Sequence, residues 1–295
     1  MLTTNLYYQI INNFPELKYA LLDAQTFDPT HFGFPEIYYK VLETDASRIH
    51  AFERAFQHYD MLKDKIVCEA GVGRLALTRH YLPYVKKAYL IENNPNIIST
   101  IQKELKDKGW NHKVEFIIGN AMKVNLPEQV DFIIGELMSI YSANEYQVQI
   151  FKHLRKFLKP EGKLIPEKII NMAQLGHAQF DEGHTHYPLL FTRHWPELLT
   201  TQEILNTIDL YHVSRYTVRK TIKLKAHLSG QTNCLLMNSL VQLVEGINFT
   251  GTDSLMPPTV KLLKAPSMLT AGDRIKMKAQ FTYGTSLDEA IFEIV

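Results

Sequence analysis

The spacing of apolar and polar positions divides the chain into three parts. In residues 1–62 apolar side chains recur every third or fourth position, as in amphipathic helices, and the last of these helices is predicted over about residues 36–59. In residues 63–166 short apolar runs alternate with helical patterns at the spacing of strand–helix–strand units. Strand patterns dominate residues 167–295. The sequence therefore predicts a helical segment, an α/β domain with a parallel sheet, and a β domain.

The β part is predicted to be an antiparallel β-barrel or sandwich. Ile275, Met277, Ala279 and Phe281 alternate with polar residues, as in a half-buried antiparallel strand. Strands are predicted over residues 167–175, 217–228, 234–245, 260–263, 273–283 and 289–295. Residues 176–198 have an irregular, aromatic pattern.

Composition changes this picture little. The 295 residues are 45% hydrophobic and carry a net charge of +1, so no overall field favours a nucleic acid or an anionic membrane as partner. The first residues lack a basic region followed by an apolar core, and no apolar run approaches a membrane span. With two cysteines, Cys68 and Cys234, a disulfide framework is not expected. We expect a cytoplasmic protein without nucleic-acid or membrane partners.

A glycine turn follows the first predicted strand of the α/β part. Gly71, Gly73 and Ala76 fit the G-x-G-x-x-A pattern, and Glu92 ends the next strand, where it can accept bonds from two ribose hydroxyls. The pattern is typical of a nucleoside cofactor, but by itself it does not separate NAD from S-adenosylmethionine. A plain packing turn between strand and helix is a further alternative.

Three features favour S-adenosylmethionine. Glu69 precedes the first glycine by two residues, where its carboxylate can hold an amino group. Arg48, on the preceding helix, can hold a carboxylate with a bidentate fork. Too few strands precede the β part for a two-half dinucleotide fold. Asn120 and Ala121, at the end of the third strand, would face the adenine edge, although Asn120 also fits an ordinary turn.

Two glutamates follow the fourth predicted strand. The apolar run at 132–134 ends at Gly135, and Glu136 and Glu145 come directly afterwards. Ligands of open α/β sheets bind at the carboxyl ends of strands. The pair is therefore either two solvated acids in a surface loop or two carboxylates directed at a cation.

Taken together, the motifs of residues 37–170 resemble those of the protein arginine methyltransferases. The matching motifs are L-x-x-D-x-x-R at Leu42, Asp45 and Arg48, E-x-G-x-G at residues 69–73, the strand-end Glu92, G-E-L-M followed by Glu145, and K-P-E-G-K-L-I-P at residues 159–166. The resemblance implies a Rossmann-like class I methyltransferase domain followed by a β-barrel, and S-adenosyl-L-methionine as cofactor. It implies that Arg48 and Glu69 hold the methionine moiety, Glu92 the ribose, and Glu136 with Glu145 a substrate guanidinium.

The same resemblance sets the expected domains. They are an N-terminal helical segment at 1–62, a cofactor domain at 63–166 and a substrate-binding barrel at 167–295. Residues 176–198 correspond to the arm with which such enzymes dimerise, so a homodimer is expected.

The sequence also departs from the family at three places. The family's Thr-His-Trp motif is replaced by Ser-Leu-Met-Pro-Pro at residues 254–258, a tryptophan by Leu137, and the third glycine of the turn by Leu75. The acceptor therefore stays open between a protein arginine, free arginine, another guanidino compound and an amine.

Other interpretations remain beside this one. They are a methyltransferase for a small amine or hydroxyl, a catalytically silent scaffold, and an NAD-linked oxidoreductase. His177, His184, His186 and His194 lie close together in the sequence, but their loop-like setting favours solvated side chains, so no metal site is expected. For Asp45 and Arg48 composition favours a surface ion pair of little energetic worth.

Overall fold

A five-stranded parallel sheet forms the centre of the first half. The computed structural model describes residues 39, 40, 42–189 and 195–295. The strands are β1 (Ile66–Ala70), β2 (Lys87–Glu92), β3 (Val114–Ile118), β4 (Val130–Gly135) and β5 (Leu158–Ile165). They lie in the order β3-β2-β1-β4-β5, with every neighbouring pair parallel. Because β1 is covered on both faces, all five of its residues are buried. The predicted α/β architecture is confirmed.

Four helices accompany this sheet. They are α1 (Ala46–His58), α2 (Thr78–Tyr81), α3 (Pro95–Asp107) and α4 (Gln147–Leu154). At the start of α3, the Asn94 side chain accepts a hydrogen bond from the Asn96 N–H (3.0 Å), and Pro95 occupies the first turn.

The predicted bounds of two helices need correction. The helix predicted over 36–59 is interrupted at residues 43–45, where Asp45 becomes the N-cap of α1. The polar capping side chain ends one helical pattern and starts the next. The apolar stripe of Ile150, Leu154 and Phe157 predicts a helix over residues 146–158, but the observed helix is shorter, since Arg155–Phe157 form a 3₁₀ turn before β5.

The second half consists almost entirely of antiparallel strands. They are β6 (Lys168–His177), β7 (His186–Pro188), β8 (Glu197–Leu198), β9 (Glu203–Asp209), β10 (Thr217–Lys225), β11 (Gly230–Val244), β12 (Ile247–Thr250), β13 (Thr259–Leu269), β14 (Arg274–Thr282) and β15 (Ile291–Ile294). One sheet has the order β7-β13-β11-β6-β8, with β12 on β11 and β9 on β6; the other has the order β10-β14-β15.

The sequence patterns found most of these strands and missed four. The alternation in β14 is confirmed, because Ile275, Met277, Ala279 and Phe281 are all buried. Strands β7, β8 and β12 escaped notice because each has four residues or fewer, too short for a periodic signal. Strand β9 was missed because its exposed Ile204 breaks the alternation, at a register shift in its pairing with β6.

The two halves are held together by the loop after β4. The hydroxyl of fully buried Tyr141 donates to the Met172 carbonyl of β6 (2.8 Å), and its backbone N–H donates to Ser239 Oγ of β11 (3.1 Å). Its ring lies 5.2 Å from that of Phe281 in β14. The loop that carries Glu136 and Glu145 is therefore fixed by the β half.

Some predictions concern residues outside the described part. The helical patterns at residues 6–14 and 17–22 lie there, as does His194. Within the described ranges, no helix is long and apolar enough to cross a membrane.

Candidate active site

A cavity of about 650 Å³ lies where the carboxyl ends of β1, β2 and β4 meet α1 and the loop that begins at Leu255. Its size suits a small organic ligand. Of the nine residues predicted for the site, seven line it: Arg48, Glu69, Gly71, Gly73, Glu92, Glu136 and Glu145. Asn120 and Ala121 do not line it. The Asn120 side chain instead accepts a hydrogen bond from the Met122 N–H (2.8 Å), as a turn residue does.

The glycine turn after β1 has the left-handed backbone that its sequence suggests. Gly71 and Gly73 have φ of +69° and +51°. A Cβ on Gly71 would lie 2.5 Å from a methyl carbon of Leu137, so a side chain there would displace that residue. Leu75, at the family's third glycine position, is fully buried and also has a positive φ of 64°. A left-handed backbone at a leucine costs about 1–2 kcal/mol of conformational free energy. The turn has this conformation at Leu75 despite that cost.

Glu92 is held at the end of β2 by backbone donors. Its Oε1 accepts hydrogen bonds from the N–H groups of Asn93 and Asn94 (both 2.8 Å), and its Oε2 accepts one from Gly73 N–H (3.0 Å). A carboxylate has about four acceptor sites, so one remains for a hydroxyl donor in the cavity.

Glu69 is buried at the end of β1 and receives two hydroxyl hydrogen bonds. Thr78 donates at 2.7 Å and Tyr81 at 2.5 Å, both to Oε2. Burial raises the pKa of Glu69 to about 7, against the two hydrogen bonds, which lower it. Its Oε1 accepts no hydrogen bond from the described residues, which leaves it able to receive a cationic donor.

Asp45 and Arg48 do not form the surface ion pair that composition favours. Asp45 is 1% exposed and Arg48 5% exposed. The arginine Nη1 lies 2.7 Å from Glu136 Oε2, and Nη2 donates to the Leu42 carbonyl (2.8 Å). Its buried Nε has no hydrogen-bond partner within the described residues and lies 3.6 Å from Asp45 Oδ2. Arg48 therefore retains a buried donor for an anionic ligand group.

Asp45 also connects α1 to the loop that replaces the Thr-His-Trp motif. Its Oδ1 accepts a hydrogen bond from Arg48 N–H (3.2 Å), and its Oδ2 accepts one from Leu255 N–H (2.7 Å). A single buried carboxylate thus caps the helix and fixes this loop.

The loop between Glu136 and Glu145 is shaped by the neighbouring α4 and by the barrel. Buried Gln147, the first residue of α4, accepts a hydrogen bond from Leu137 N–H (2.9 Å) and donates one to the Gly135 carbonyl (3.2 Å). At the other end, Asn144 N–H donates to the Thr285 carbonyl (3.1 Å). These hydrogen bonds hold both ends of the loop and so fix the backbone positions of Glu136 and Glu145.

Glu136 and Glu145 are half-buried in a negatively charged part of the cavity wall. Burial raises the pKa of Glu136 against the opposing effect of Arg48. Burial, and then the neighbouring Glu136, raise the pKa of Glu145 to about 8. The Glu145 carboxylate has no hydrogen-bond or ion-pair partner among the described residues. The described residues that line the cavity include five glutamates and two arginines, so this part of the wall favours a cation.

The sequence did not assign several polar residues of the cavity wall to the site, among them Tyr39, Asn94 and His186, and the expectation that His186 is solvated is wrong, because its side chain is 18% exposed. Tyr39 lines the cavity, and its hydroxyl accepts a hydrogen bond from the Asn94 side chain (3.1 Å). Asn94 follows the strand-end Glu92 by two residues, and this position in the sequence could have indicated that it lies at the site. His186 also lines the cavity. For His186 and Tyr39 no local pattern marks the position. Within the described residues no group of three or more potential ligands could hold a metal ion.

Comparison with known proteins identifies the family. The model of the PRMT5 arginine-N-methyltransferase family matches residues 18–165, half of the chain. The protein belongs to the arginine N-methyltransferase family. The predicted resemblance is therefore confirmed, and with it the class of enzyme, an S-adenosylmethionine-dependent methyltransferase.

Relatives of this methyltransferase occur in archaea and animals. It is 27% identical over 228 residues to the uncharacterised protein MJ1452 of Methanocaldococcus jannaschii, a match that covers 77% of this chain and 85% of that protein. It is 33% identical over 124 residues to the histone-arginine methyltransferase CARMER of Drosophila ananassae. That match covers 41% of this chain but 23% of CARMER, so this methyltransferase spans about a quarter of that relative.

Solved structures share the fold. The PRMT1 enzyme–prozyme heterotetrameric complex of Trypanosoma brucei with AdoHcy superimposes with a TM-score of 0.70 at 18% identity, over 81% of this chain and 86% of that one. Protein arginine methyltransferase 10 of Arabidopsis thaliana gives a TM-score of 0.67 at 16% identity, over 83% and 89%. At these identities the likeness concerns the fold.

Proposed function

We propose that this methyltransferase transfers a methyl group from S-adenosyl-L-methionine to a guanidino nitrogen clamped by Glu136 and Glu145. The observation that carries the proposal is the unpartnered Glu145 carboxylate beside Glu136, in a cavity with more carboxylates than cations. Arg48 compensates Glu136, whereas no cation among the described residues pairs with Glu145, and a carboxylate withdrawn from water without a partner is costly. A bound guanidinium supplies that missing cation to Glu145 and shares Glu136 with Arg48.

The cofactor is proposed from the fit of three residues. The guanidinium of Arg48, whose buried Nε makes no hydrogen bond to a described residue, suits a carboxylate, Oε1 of Glu69 suits an ammonium, and Glu92 keeps one acceptor site for a ribose hydroxyl. When bound, S-adenosylmethionine supplies a methyl group activated on a sulfonium. The cavity's excess of negative charge fits a cofactor that carries two positive charges and one negative.

The two glutamates act on the acceptor in two ways. Charge-assisted hydrogen bonds to two guanidinium nitrogens draw positive charge toward those nitrogens, so the remaining nitrogen is richer in electrons. The same bonds fix the orientation of the attacking nitrogen, and orientation of this kind supplies several kcal/mol. The new C–N bond forms as the donor's C–S bond breaks, and the acceptor nitrogen then releases one proton.

A protein arginine is the acceptor that we propose, because CARMER is a histone-arginine methyltransferase. Free arginine and other guanidino compounds share the chemistry that the glutamates recognise. We also propose that the enzyme self-associates, following the oligomeric complex of the trypanosome enzyme. Light scattering coupled to size exclusion measures the mass of the assembly, and a monomer across the working concentration range contradicts this part.

The decisive experiment combines cofactor binding with methyl transfer. Calorimetry with S-adenosylmethionine and with NADH identifies the cofactor, and a radiolabelled methyl donor in a cell extract shows whether label enters protein or small molecules. Glu145→Gln should leave cofactor affinity within about threefold while transfer falls by about 10²-fold or more, and Glu136→Gln should lower transfer to the same extent. Glu115→Gln, at an exposed position of β3, is the matched control. Tight NADH binding without a response to the methyl donor, or full turnover by Glu136→Gln, would refute the proposal.

A further inference from the structure

His186 is the only ionisable residue that the described β half contributes to the cavity. The other lining residues from this half are apolar or carry a neutral hydroxyl: Pro188, Leu255, Met256, Pro257, Thr259 and Leu287. The guanidinium clamp and the residues proposed for the cofactor all come from the first half. Any polar recognition of the rest of the acceptor by described barrel residues therefore falls on His186 or on Thr259.

The strand that carries His186 lies beside the loop that lacks the family's histidine. In β7, His186 pairs with Lys261 and Pro188 pairs with Thr259 of β13. Leu189 N–H donates to the Pro258 carbonyl (2.8 Å), directly after residues 254–257. An imidazole thus reaches the cavity wall from the neighbouring strand rather than from the loop itself.

The imidazole is held by a polar network behind it. Its Nδ1 lies 3.2 Å from Asp288 Oδ1. The same carboxylate accepts hydrogen bonds from the hydroxyls of Thr185 and Ser286, and the Thr185 hydroxyl in turn accepts one from buried Lys261 Nζ (2.9 Å). Because the carboxylate accepts and cannot donate, the proton of the neutral ring lies on Nδ1. Nε2 is then a lone-pair acceptor without a partner among the described residues.

We propose that His186, oriented by Asp288, forms a second subsite that accepts a hydrogen bond from an N–H group on the acceptor next to its guanidino side chain. This inference rests on the proposed function and adds a second recognition point to it. The chemistry fits the backbone N–H of a peptide and equally the α-ammonium of free arginine. His186 binds the acceptor, and Asp288 is a positioning residue.

The charges around the ring favour its neutral, accepting form. Burial lowers the pKa of His186 below its ordinary value, and Lys261 and His184 act in the same direction, against Asp288. The ring is therefore neutral at pH 7. Once the pH falls below this lowered pKa the ring becomes protonated, Nε2 becomes a donor, and the subsite repels an N–H group.

The subsite is tested by acceptor binding in the presence of S-adenosylhomocysteine, so that the result does not depend on turnover. Three probes are titrated into the full-length protein by calorimetry: a glycine-rich peptide with one arginine, free arginine, and guanidinobutyrate, which has a guanidino group but neither an amide N–H nor an ammonium. His186→Ala should weaken binding of the peptide or of free arginine about fivefold, the size of one neutral hydrogen bond, and leave guanidinobutyrate unchanged. Whichever of the first two responds identifies the source of the donor.

Two conservative variants separate binding from a structural role. The amide of glutamine reaches the position of Nε2, whereas that of asparagine reaches only Nδ1. His186→Gln should therefore restore most of the affinity, and His186→Asn should resemble alanine. The weakening of wild-type binding between pH 7.5 and pH 5 should be smaller in His186→Gln, since no imidazole titrates. His212→Ala is the matched control, because His212 forms a similar pair with Asp209 (3.1 Å) on the surface, outside the cavity.

The possible failures differ from those of the proposed function. Unchanged binding of all probes by His186→Ala, or equal weakening of all three, overturns the subsite. Weaker binding of S-adenosylhomocysteine by every His186 variant also overturns it, since the histidine would then act on the cavity as a whole. Selective loss of the donor-bearing probes in a protein that transfers no methyl group supports the subsite and refutes the proposed reaction.

Discussion

Arg48 Nη1 lies 2.7 Å from Glu136 Oε2. The arginine proposed to hold the cofactor's carboxylate and the glutamate proposed to hold the acceptor's guanidinium are therefore joined in one ion pair. The cofactor's carboxylate competes with Glu136 for Arg48, and the acceptor's guanidinium competes with Arg48 for Glu136. Whatever binds Arg48 changes how much negative charge Glu136 can offer, so the two binding events are coupled through this contact.

We predict that the cofactor strengthens acceptor binding. When the cofactor's carboxylate binds Arg48, the arginine neutralises less of the negative charge of Glu136. Glu136 then attracts a guanidinium more strongly. Arginine-peptide affinity should be about fivefold or more higher with S-adenosylhomocysteine present than without it, within the usual range of coupling between sites. Calorimetry in both orders of addition provides an internal check, because the two enhancement factors must be equal. Equal peptide affinity with and without cofactor would contradict the coupling.

Arg48→Lys is predicted to weaken cofactor binding although it keeps the charge. A lysine has a single donor point, so it cannot contact Glu136 and the Leu42 carbonyl while also offering a donor at the position of Nε. The dissociation constant for S-adenosylhomocysteine should rise about tenfold or more. Arg155→Lys serves as control, because Arg155 donates to the carbonyls of Leu210 and Val213 away from the cavity. An unchanged constant would remove Arg48 from the cofactor site.

The central sheet and most of the site were predictable because their signals are local. Apolar runs followed by glycines or acids mark strand ends, and the carboxyl ends of parallel strands meet at one edge of the sheet. Glu69, Glu92 and Glu136 therefore line one cavity, although each was found from its own short stretch of sequence.

What the sequence did not reveal depends on contacts between distant residues. Asp45 and Leu255 are 210 positions apart, and no sequence pattern around either residue predicts their hydrogen bond. His186 occupies a three-residue strand, too short to show periodicity, and its place on the cavity wall follows from pairing with β13. Burial of Asp45 and Arg48 was misjudged for the same reason, since spacing on a helix does not show what packs against it.

Tyr81→Phe is predicted to shift cofactor binding to higher pH. The Tyr81 hydroxyl donates to Glu69 Oε2 (2.5 Å), and this bond lowers the pKa of a carboxyl that burial has raised to about 7. Without the bond the pKa of Glu69 rises further, so a larger fraction is protonated at neutral pH and unable to attract an ammonium. The pH at which S-adenosylhomocysteine binding is half-maximal should increase. Tyr89→Phe is the control, because Tyr89 contacts Glu128 outside the cavity; identical shifts in both variants would contradict the assignment.

Asp45→Ala is predicted to destabilise the fold by about 2–4 kcal/mol. It removes the N-cap of α1, worth about 0.5–2 kcal/mol, and leaves the Leu255 N–H without its partner at a cost of about 1–3 kcal/mol. Asp45→Asn keeps a good N-cap and should cost less. Urea denaturation measures both values. Asparagine has one oxygen, so it can accept from Arg48 N–H but then turns an NH₂ donor toward Leu255 N–H. Equal losses in the two variants would show that the N-cap hydrogen bond contributes nothing.

The raised pKa of Glu145 predicts how stability changes with pH. In the folded protein this pKa is about 8, whereas in the unfolded chain it is near the ordinary value of about 4.3. Between these two pH values Glu145 holds its proton more tightly in the folded state than in the unfolded chain. Its contribution to the free energy of unfolding is therefore complete below about pH 4 and is lost as the pH rises toward 8. Glu145→Gln removes this titration, and its free energy of unfolding should fall less steeply between pH 5 and pH 8 than that of the wild type. Urea denaturation at several pH values without ligand measures the two slopes, with Glu115→Gln as control; parallel slopes would show that Glu145 is already ionised at neutral pH.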